Sequence, residues 1–338
     1  MKNIKPLVSI CIPCYNHERY IEDCINSILV QDYEKIELII VDDCSTDNSV
    51  LHITNMKSKI ETKVERFVFL VNETNCGNCK TMNKAFKHVR GKYIFPMASD
   101  DAIFPSCISI MVNAIENTSY LICTGDSVIV EDNWHFNQKK YITNEHLLEI
   151  PSYINDDNIF IEVLKHNFLP SPGTIFCNNL LDEIGNYDEE LKFADWDFRL
   201  RILRTHKIKF ISETVYYYRR SNTSSSSFER TNDKKTAEWR FLYQYEGARD
   251  TLLKHIKYVD KKKGEKILSD WFIDQICISF SVKNNLKNVR VIIKRDIQKY
   301  KVKFTINQII RCFKACIKEE IKRKYRIIYK RNKDAGEI

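Results

Sequence analysis

A chain of 338 residues with 43% hydrophobic content can bury a sizeable core in one large domain or two, which excludes wholesale disorder. The net charge of +8 lies wholly in residues 301–338, where twelve Lys/Arg face four Asp/Glu, so any basic partner surface is confined to that end. No stretch approaches the ~18 apolar residues of a membrane span, and "MKNIKPLVSICIPCYN" is no signal peptide, so a cytoplasmic chain with reduced thiols is expected.

"PLVSICIP" (6–13) is a short apolar run closed by Pro13 and predicts a strand. "ERYIEDCINSILVQ" (18–31) sets Ile21, Cys24, Ile25, Ile28 and Leu29 on one helical face. "KIELIIVDD" (35–43) is a second strand ending in acids, and "STDNSVLHITNMKS" (45–58) a second helix with Ser45 or Thr46 as N-cap. "RFVFLV" (66–71) is a third strand. "NCKTMNKAFKHVRG" (78–91) places Cys79, Met82, Phe86 and Val89 on one helical face, with Gly91 at the C-cap. "KYIFPM" (92–97) is a fourth strand. Past residue 105 the pattern loosens. "CISIMVNAIEN" is helical, "YLICTGDSVIVED" gives one or two strands, and 132–157 is polar and irregular. "FADWDFRLRILRTH" (193–206) predicts a helix burying Trp196, Leu200 and Leu203. "KIKFIS" and "TVYYYRR" predict an antiparallel hairpin. The Ser-rich stretch 221–235 marks a boundary, giving domains 1–225 and 226–338, the second helical and increasingly basic.

Unbroken apolar strands separated by amphipathic helices argue a mostly parallel sheet covered on both faces. Ligands bind beyond the carboxyl ends of such strands. Four polar segments follow those ends: "CYN" (14–16), "DDCS" (42–45), "NETN" (72–75) and "SDD" (99–101). The pairs Asp42/Asp43 and Asp100/Asp101 are expected to converge there, strained unless a cation or hydrogen-bond donors compensate them. Neither a dinucleotide fingerprint nor a P-loop follows the first strand. Of twelve cysteines, Cys11, Cys24, Cys107, Cys123 and Cys177 lie in apolar segments and suit a core. The spacings Cys11/Cys14 and Cys76/Cys79 fit core thiols better than zinc. Asp195/Arg199 and Asp197/Arg201 stand four apart, a spacing that by itself favours surface ion pairs.

The run "VSICIPCYNHERYIEDCINSILVQDYEKIELIIVDDCSTDNS", then "NETNCG" with Asn83, "GKYI", "ASDD" and "FADWDFRLRI", closely resembles the family 2 glycosyltransferases of bacterial surface-polysaccharide type. The resemblance covers roughly residues 6–220 and is weak from 130 to 190. It implies a GT-A fold, a Rossmann-like α/β architecture, with a helical basic extension. It implies inverting transfer of one sugar, hexosyl or N-acetylhexosaminyl, from a nucleotide-sugar, UDP-linked by preference. The acceptor would be a hydroxyl on a lipid-linked or growing glycan such as an O-antigen or capsule, with a polyprenyl-diphosphate carrier one form. Mn²⁺ or Mg²⁺ would assist. Carried over by position, Pro13, Tyr15, Asn16 and Asn75 line the nucleotide pocket, Asp42 meets the base, and Asp43 and Ser45 lie beside it. Asp101 ligates the cation with Asp100 as its helper or a ribose contact, and Asp195 is the catalytic base.

The chain departs from the pattern at Ala98, where Asp is frequent, and at Ala194, where Glu is usual. A His frequent after the Tyr-Arg hairpin is absent, which leaves Arg219 or Arg220 to contact the diphosphate. The processive signature Q-x-x-R-W is absent, which implies single-sugar transfer. The two Ala positions keep a second reading open, a non-catalytic sugar-nucleotide-binding or scaffold protein. A nucleotidyltransferase would want a basic Gly-rich loop that "PCYNHERY" lacks. The amphipathic, basic 307–333 suits either an anionic membrane surface, the inner face of the cell membrane, or packing on the catalytic domain. Nucleic acid is disfavoured, since no recognised module accompanies the charge.

Overall fold

A computed structural model describes residues 5–138, 142–220, 234–281, 287–310 and 314. The Ser-rich 221–233, the expected boundary at 225/226 and most of the basic tail lie outside them. The chain divides into two compact units, 1–221 and 222–338.

In the first unit the elements run β1 Val8–Cys14, α1 Ile21–Leu29, β2 Ile36–Asp42, α2 Ser49–Glu61, β3 Arg66–Val71, α3 Asn78–Phe86 and β4 Tyr93–Pro96. Then follow β5 Ala102–Ile103, α4 Cys107–Ile115, β6 Ile122–Glu131, β7 Ile142–His146, α5 Ile159–His166, β8 Thr174–Cys177, α6 Asn179–Ile184, α7 Ala194–Leu203 and β9 Lys209–Arg220. The strands form one sheet in the order β3-β2-β1-β4-β8-β6-β9-β5, with β7 beside β6. The β3-β2-β1-β4 segment is parallel throughout, and β6 pairs parallel with β9.

Alternation along the strands explains why both faces are covered. Val8, Ile10 and Ile12 of β1 and Ile36, Leu38 and Ile40 of β2 pack with Ile21, Ile25 and Ile28 of α1 and Met111 of α4. Cys11, Ile39 and Val41 point the other way and are equally buried. Against that second face the rings of Phe86, Phe176, Tyr187 and Phe198 meet in T-shaped or tilted contacts at 5.1–6.1 Å. Side chains of period two with both sets apolar produce this sandwich.

Three local expectations change. The expected hairpin is one continuous strand, β9, running parallel to β6 with register shifts beside Asp126. Pairing with a long buried neighbour outweighs the polar "SET" interruption. Helix α2 starts at Ser49 behind Asn48, because Ser45 spends its N–H and hydroxyl on Asp42. Gly91 is not a C-cap, since α3 ends at Phe86. A Cβ at Gly91 would sit 2.5 Å from Ser9 Oγ and 2.8 Å from the Leu7 carbonyl, so close chain approach demands glycine.

That approach serves Glu37, 0% exposed at the sheet end opposite the polar loops. Its carboxylate accepts from Ser9 Oγ, Arg66 Nη1 at 2.8 Å, Arg90 N–H at 2.6 Å and Gly91 N–H at 3.1 Å. Burial alone would raise its pKa; the donors, Ser9 foremost, outweigh burial and hold it below the ordinary value.

The second unit contains α8 Lys234–Ile256, α9 Lys261–Ser281 and α10 Lys287–Lys299. Tyr245 stacks on Trp271 at 5.3 Å, and Asp296 accepts from Tyr245 Oη at 2.9 Å and Arg249 Nη1 at 2.7 Å. No helix among the described residues is long and apolar enough to cross a membrane.

Glu37→Gln leaves Arg66 without its anion and is expected to cost about 3 kcal/mol at pH 7. A depressed folded pKa contributes stability above the ordinary glutamate value and loses it as pH falls through the folded value. Urea denaturation should therefore show the gap between wild type and variant closing as the medium is acidified below that range. A gap independent of pH would sink the assignment.

Candidate active site

The carboxyl ends of β3, β2, β1 and β4 lie side by side, and the loops beyond them are tied together. Asn16, at φ 54°, donates its N–H to Ser45 Oγ at 2.9 Å, and its side-chain oxygen accepts from Thr46 N–H at 2.8 Å. His17 N–H donates to Ser49 Oγ at 2.9 Å, Glu18 N–H to Asp47 at 2.9 Å, and Asn48 N–H back to Glu18 at 2.9 Å. Reciprocal bonds between the β1–α1 and β2–α2 loops make a fixed ledge. Tyr15, 43% exposed, stands on it. Asn16 and Asn75 are exposed, and Pro13 and Ser45 half-buried.

The paired aspartates do not form one repelling cluster. Asp42 is 0% exposed and holds Ser45 N–H at 2.8 Å and Ser45 Oγ at 2.6 Å. Asp43 is 3% exposed and accepts from Asn72 Nδ2, Cys76 N–H and Gly77 N–H, each at 2.8 Å. Asp101, in the turn between β4 and β5, is 3% exposed and accepts from Tyr216 Oη at 2.9 Å and Arg219 N–H at 2.7 Å. Burial, then the neighbouring Asp100, pushes the Asp101 carboxyl well above the carboxylate range. Three of the four carboxyl groups are thus engaged by hydrogen-bond donors, although at Asp101 the donors do not outweigh burial. Asp100 differs. It is half-buried, and its carboxylate takes no hydrogen bond from the described residues.

This distribution changes the expected parts. Asp42 and Asp43 are closed to solvent and shape the loops by accepting from them. Asp101, expected to ligate the cation, has both oxygens engaged inside the fold, while Asp100, expected to help, is the open one. Among the described residues no cluster of three or more His, Cys, Asp or Glu could hold a metal. The donor set fits a hard cation bound through one carboxylate plus oxygens of a phosphate ligand.

Asp195 opens α7 with its side chain 39% exposed. It accepts from Ser171 Oγ and faces Arg199 Nη2 at 3.5 Å. Arg199 in turn donates to Ser171 Oγ at 2.7 Å and Asn167 Oδ1 at 3.2 Å. The carboxylate is therefore aimed by a serine and a cation although position 194 is Ala. Neither helical ion pair is a surface pair. The Arg199 side chain is 5% exposed, and Arg201 and Asp197 are 9% and 0%. Arg201 reaches Asp197 at 2.8 Å and caps the carbonyls of Ile184, Gly185 and Asn186, which anchors the chain entering the site.

Arg219 is buried and cannot reach a diphosphate, and Arg220 Nη1 is paired with Glu145 at 2.6 Å. Residues not singled out from the sequence join the site. His17 Nδ1 meets Ser99 Oγ at 2.7 Å, and Tyr216 Oη donates to Asp101. His17 stands inside the quoted "CYNHERY" and was legible as a polar loop residue. Ser171 and Tyr216 carried no signal, since only folding brings them to the aspartates.

The sequence profile of glycosyl transferase family 2 matches residues 9–185, a little over half of the chain. An uncharacterized glycosyltransferase of Rickettsia felis is 29% identical over 245 residues, which span 71% of this chain but 38% of that protein. The putative teichuronic acid biosynthesis glycosyltransferase TuaG of Bacillus subtilis is 43% identical over 101 residues, 30% of this chain and 38% of the relative. Among solved structures, S. aureus TarS 1-349 in complex with UDP-GlcNAc superposes with TM-score 0.57 at 21% identity, covering 82% of this chain and 76% of that one. Mannosyltransferase PcManGT from Pyrobaculum calidifontis, in complex with GDP-Man and Mn2+, gives TM-score 0.50 at 13% identity, covering 95% and 87%. These structural likenesses speak for the fold, which is GT-A. By its profile match and its paired-aspartate loops, the chain belongs to glycosyl transferase family 2.

Proposed function

We propose that the chain is a metal-assisted, inverting glycosyltransferase that moves one sugar from a nucleotide-sugar to an acceptor hydroxyl of a surface glycan or its lipid-linked precursor. One observation carries the reading: of four aspartates at the sheet's carboxyl end, three are saturated by the fold and Asp100 alone is left open beside the ledge. Half-buried beside the Asp101 carboxyl group, the Asp100 carboxylate meets a like-charge repulsion that a bound cation would relieve. We assign the divalent cation, Mn²⁺ or Mg²⁺, to Asp100, with Asp101 as the buried support of its turn. The cation would neutralise charge on the departing diphosphate. Tyr15, Asn16, Asn75 and Pro13 would line the nucleotide pocket that Asp42, Asp43 and Ser45 shape. UDP is the favoured nucleotide, since TarS, a structural neighbour, was solved with UDP-GlcNAc.

Asp195 would take the acceptor proton. Ser171 and Arg199 both engage Asp195 Oδ2, which leaves Oδ1 to take the proton. A single displacement on the face opposite the leaving diphosphate inverts the anomeric centre. The domains are taken as 1–225 for transfer and 226–338 for the helical part.

Charge separates the two units. Residues 1–221 hold twenty-four Lys/Arg against thirty-one Asp/Glu, and 222–338 hold twenty-nine against fourteen. In the second unit Val291, Ile306, Ile309 and Ile310 are 68%, 77%, 48% and 45% exposed. Lys294, Arg295, Lys301 and Lys303 flank them in sequence. Exposed aliphatic groups among cations suit the headgroup region of an anionic bilayer, which would place the acceptor's lipid carrier within reach.

Asp195→Asn should lower kcat/KM by about 10²–10⁴-fold while a thermal-shift titration with UDP-GlcNAc and other nucleotide-sugars matches wild type. Undiminished transfer would remove Asp195 as base; donor binding without transfer by wild type would favour the non-catalytic reading.

The full chain should sediment with phosphatidylglycerol vesicles and not with phosphatidylcholine. Ile306→Glu with Ile309→Glu should weaken that binding by about a hundredfold or more, two buried aliphatic side chains being worth ~1.5–3 kcal/mol each. Binding that persists in the double variant and vanishes with salt would mean a charge-only polyanion contact and end the bilayer assignment.

A further inference from the structure

Arg219 is the penultimate residue of β9, and its side chain is 0% exposed. Burial of a permanent cation is costly unless its donors and charge are answered. The answers come from three distant parts of the sequence. Its backbone N–H donates to Asp101 Oδ1 at 2.7 Å, and its Nε donates to the Asp100 carbonyl at 2.7 Å. Its Nη1 donates to the carbonyls of Trp134 and, at 3.1 Å, Asp132. The guanidinium lies 4.7 Å from the Tyr20 ring centroid and 5.3 Å from that of Trp134. Its Nη2 has no hydrogen-bond partner among the described residues and faces the Asp23 carboxylate at 3.7 Å.

We infer that Arg219 is a positioning residue for the cation site: it pins the Asp100 carbonyl and the Asp101 carboxylate inward, so that the Asp100 carboxylate is turned outward. The inference rests on the reading of Asp100 as the cation's ligand. A peptide turn has few degrees of freedom. With the carbonyl of residue 100 and the side chain of residue 101 both held by one arginine, the orientation of the Asp100 Cα–Cβ bond is set. Tyr216 adds a second hold, donating to Asp101 Oδ2 at 2.9 Å and accepting from Ala98 N–H at 3.3 Å. This bracing stands where Ala98 supplies no carboxylate, so the whole cation affinity falls on one well-aimed group. The fork of the guanidinium is essential. A lysine carries the charge on one nitrogen and cannot span the Asp100 carbonyl and the 132–134 carbonyls together.

The test is binding of MnCl₂ in the presence of UDP, read from loss of the free Mn²⁺ electron paramagnetic resonance signal, beside calorimetry of UDP without metal. Loss of a residue that orients a metal ligand costs on the order of 10–100-fold in metal affinity. Arg219→Lys should therefore weaken Mn²⁺ by at least about tenfold and leave metal-free UDP binding unchanged. General loosening of the fold would weaken both. Asp100→Asn is the reference. If it binds Mn²⁺ as wild type does, the cation reading of Asp100 falls and this inference with it. If Asp100→Asn loses Mn²⁺ while Arg219→Lys keeps wild-type affinity, only the positioning role falls. Should Arg219→Lys fail to fold, Asp23→Asn removes the counter-ion of Arg219, with an exposed contact to His135 as its other change. A loss of about threefold or more is then expected, and unchanged Mn²⁺ affinity overturns the inference.

Discussion

Desolvation of carboxylates governs this molecule. A buried aspartate without donors costs several kcal/mol, and the fold places Asp42, Asp43 and Asp101 at 3% exposure or less. Each is answered by groups from a different loop. Ser45 closes the β2–α2 turn on Asp42, the β3–α3 loop lays Cys76 and Gly77 N–H groups on Asp43, and β9 brings Tyr216 and Arg219 to Asp101. The same bonds that satisfy the carboxylates define the loops, so the site's walls and its acid chemistry have one physical origin. Glu37 plays the matching part at the opposite end of the sheet.

The departures at Ala98 and Ala194 acquire a structural sense in this frame. Both positions lack a carboxylate, and at both a basic side chain organises what remains. Arg219 braces the turn that carries Asp100, and Arg199 with Ser171 aims Asp195. Fewer negative charges need less compensation. The remaining ones must be held more firmly, which requires rigid, forked donors in dry surroundings.

The two units divide physical tasks. The first uses buried carboxylates paired with arginine, as in Arg201–Asp197 and Arg66–Glu37. The second concentrates positive charge and exposed aliphatic side chains around a small aromatic core of Tyr245 and Trp271. Long-range attraction to an anionic surface suits the second unit, where basic residues are in excess, better than the first, where acidic residues outnumber them.

Sequence alone determined the first hundred residues almost completely. The strands β1 to β4, the helices between them and the polar ends of the strands all follow from side-chain period, because these elements bury local, repetitive apolar faces. The resemblance carried by "VSICIPCYN", "VDDCSTDNS", "NETNCG" and "ASDD" also pointed to the family, and composition located the surplus charge. What it could not decide was contact across long separations. The parallel pairing of β9 with β6 joins residues some ninety apart, such as Ser127 and Tyr216, and no local pattern distinguishes it from a hairpin. The same pairing delivers Arg219 to the "SDD" turn. Which of two adjacent aspartates faces outward is therefore a tertiary outcome: Asp100 and Asp101 are chemically identical in the sequence, and only donors arriving from β9 make one a buried support and leave the other open.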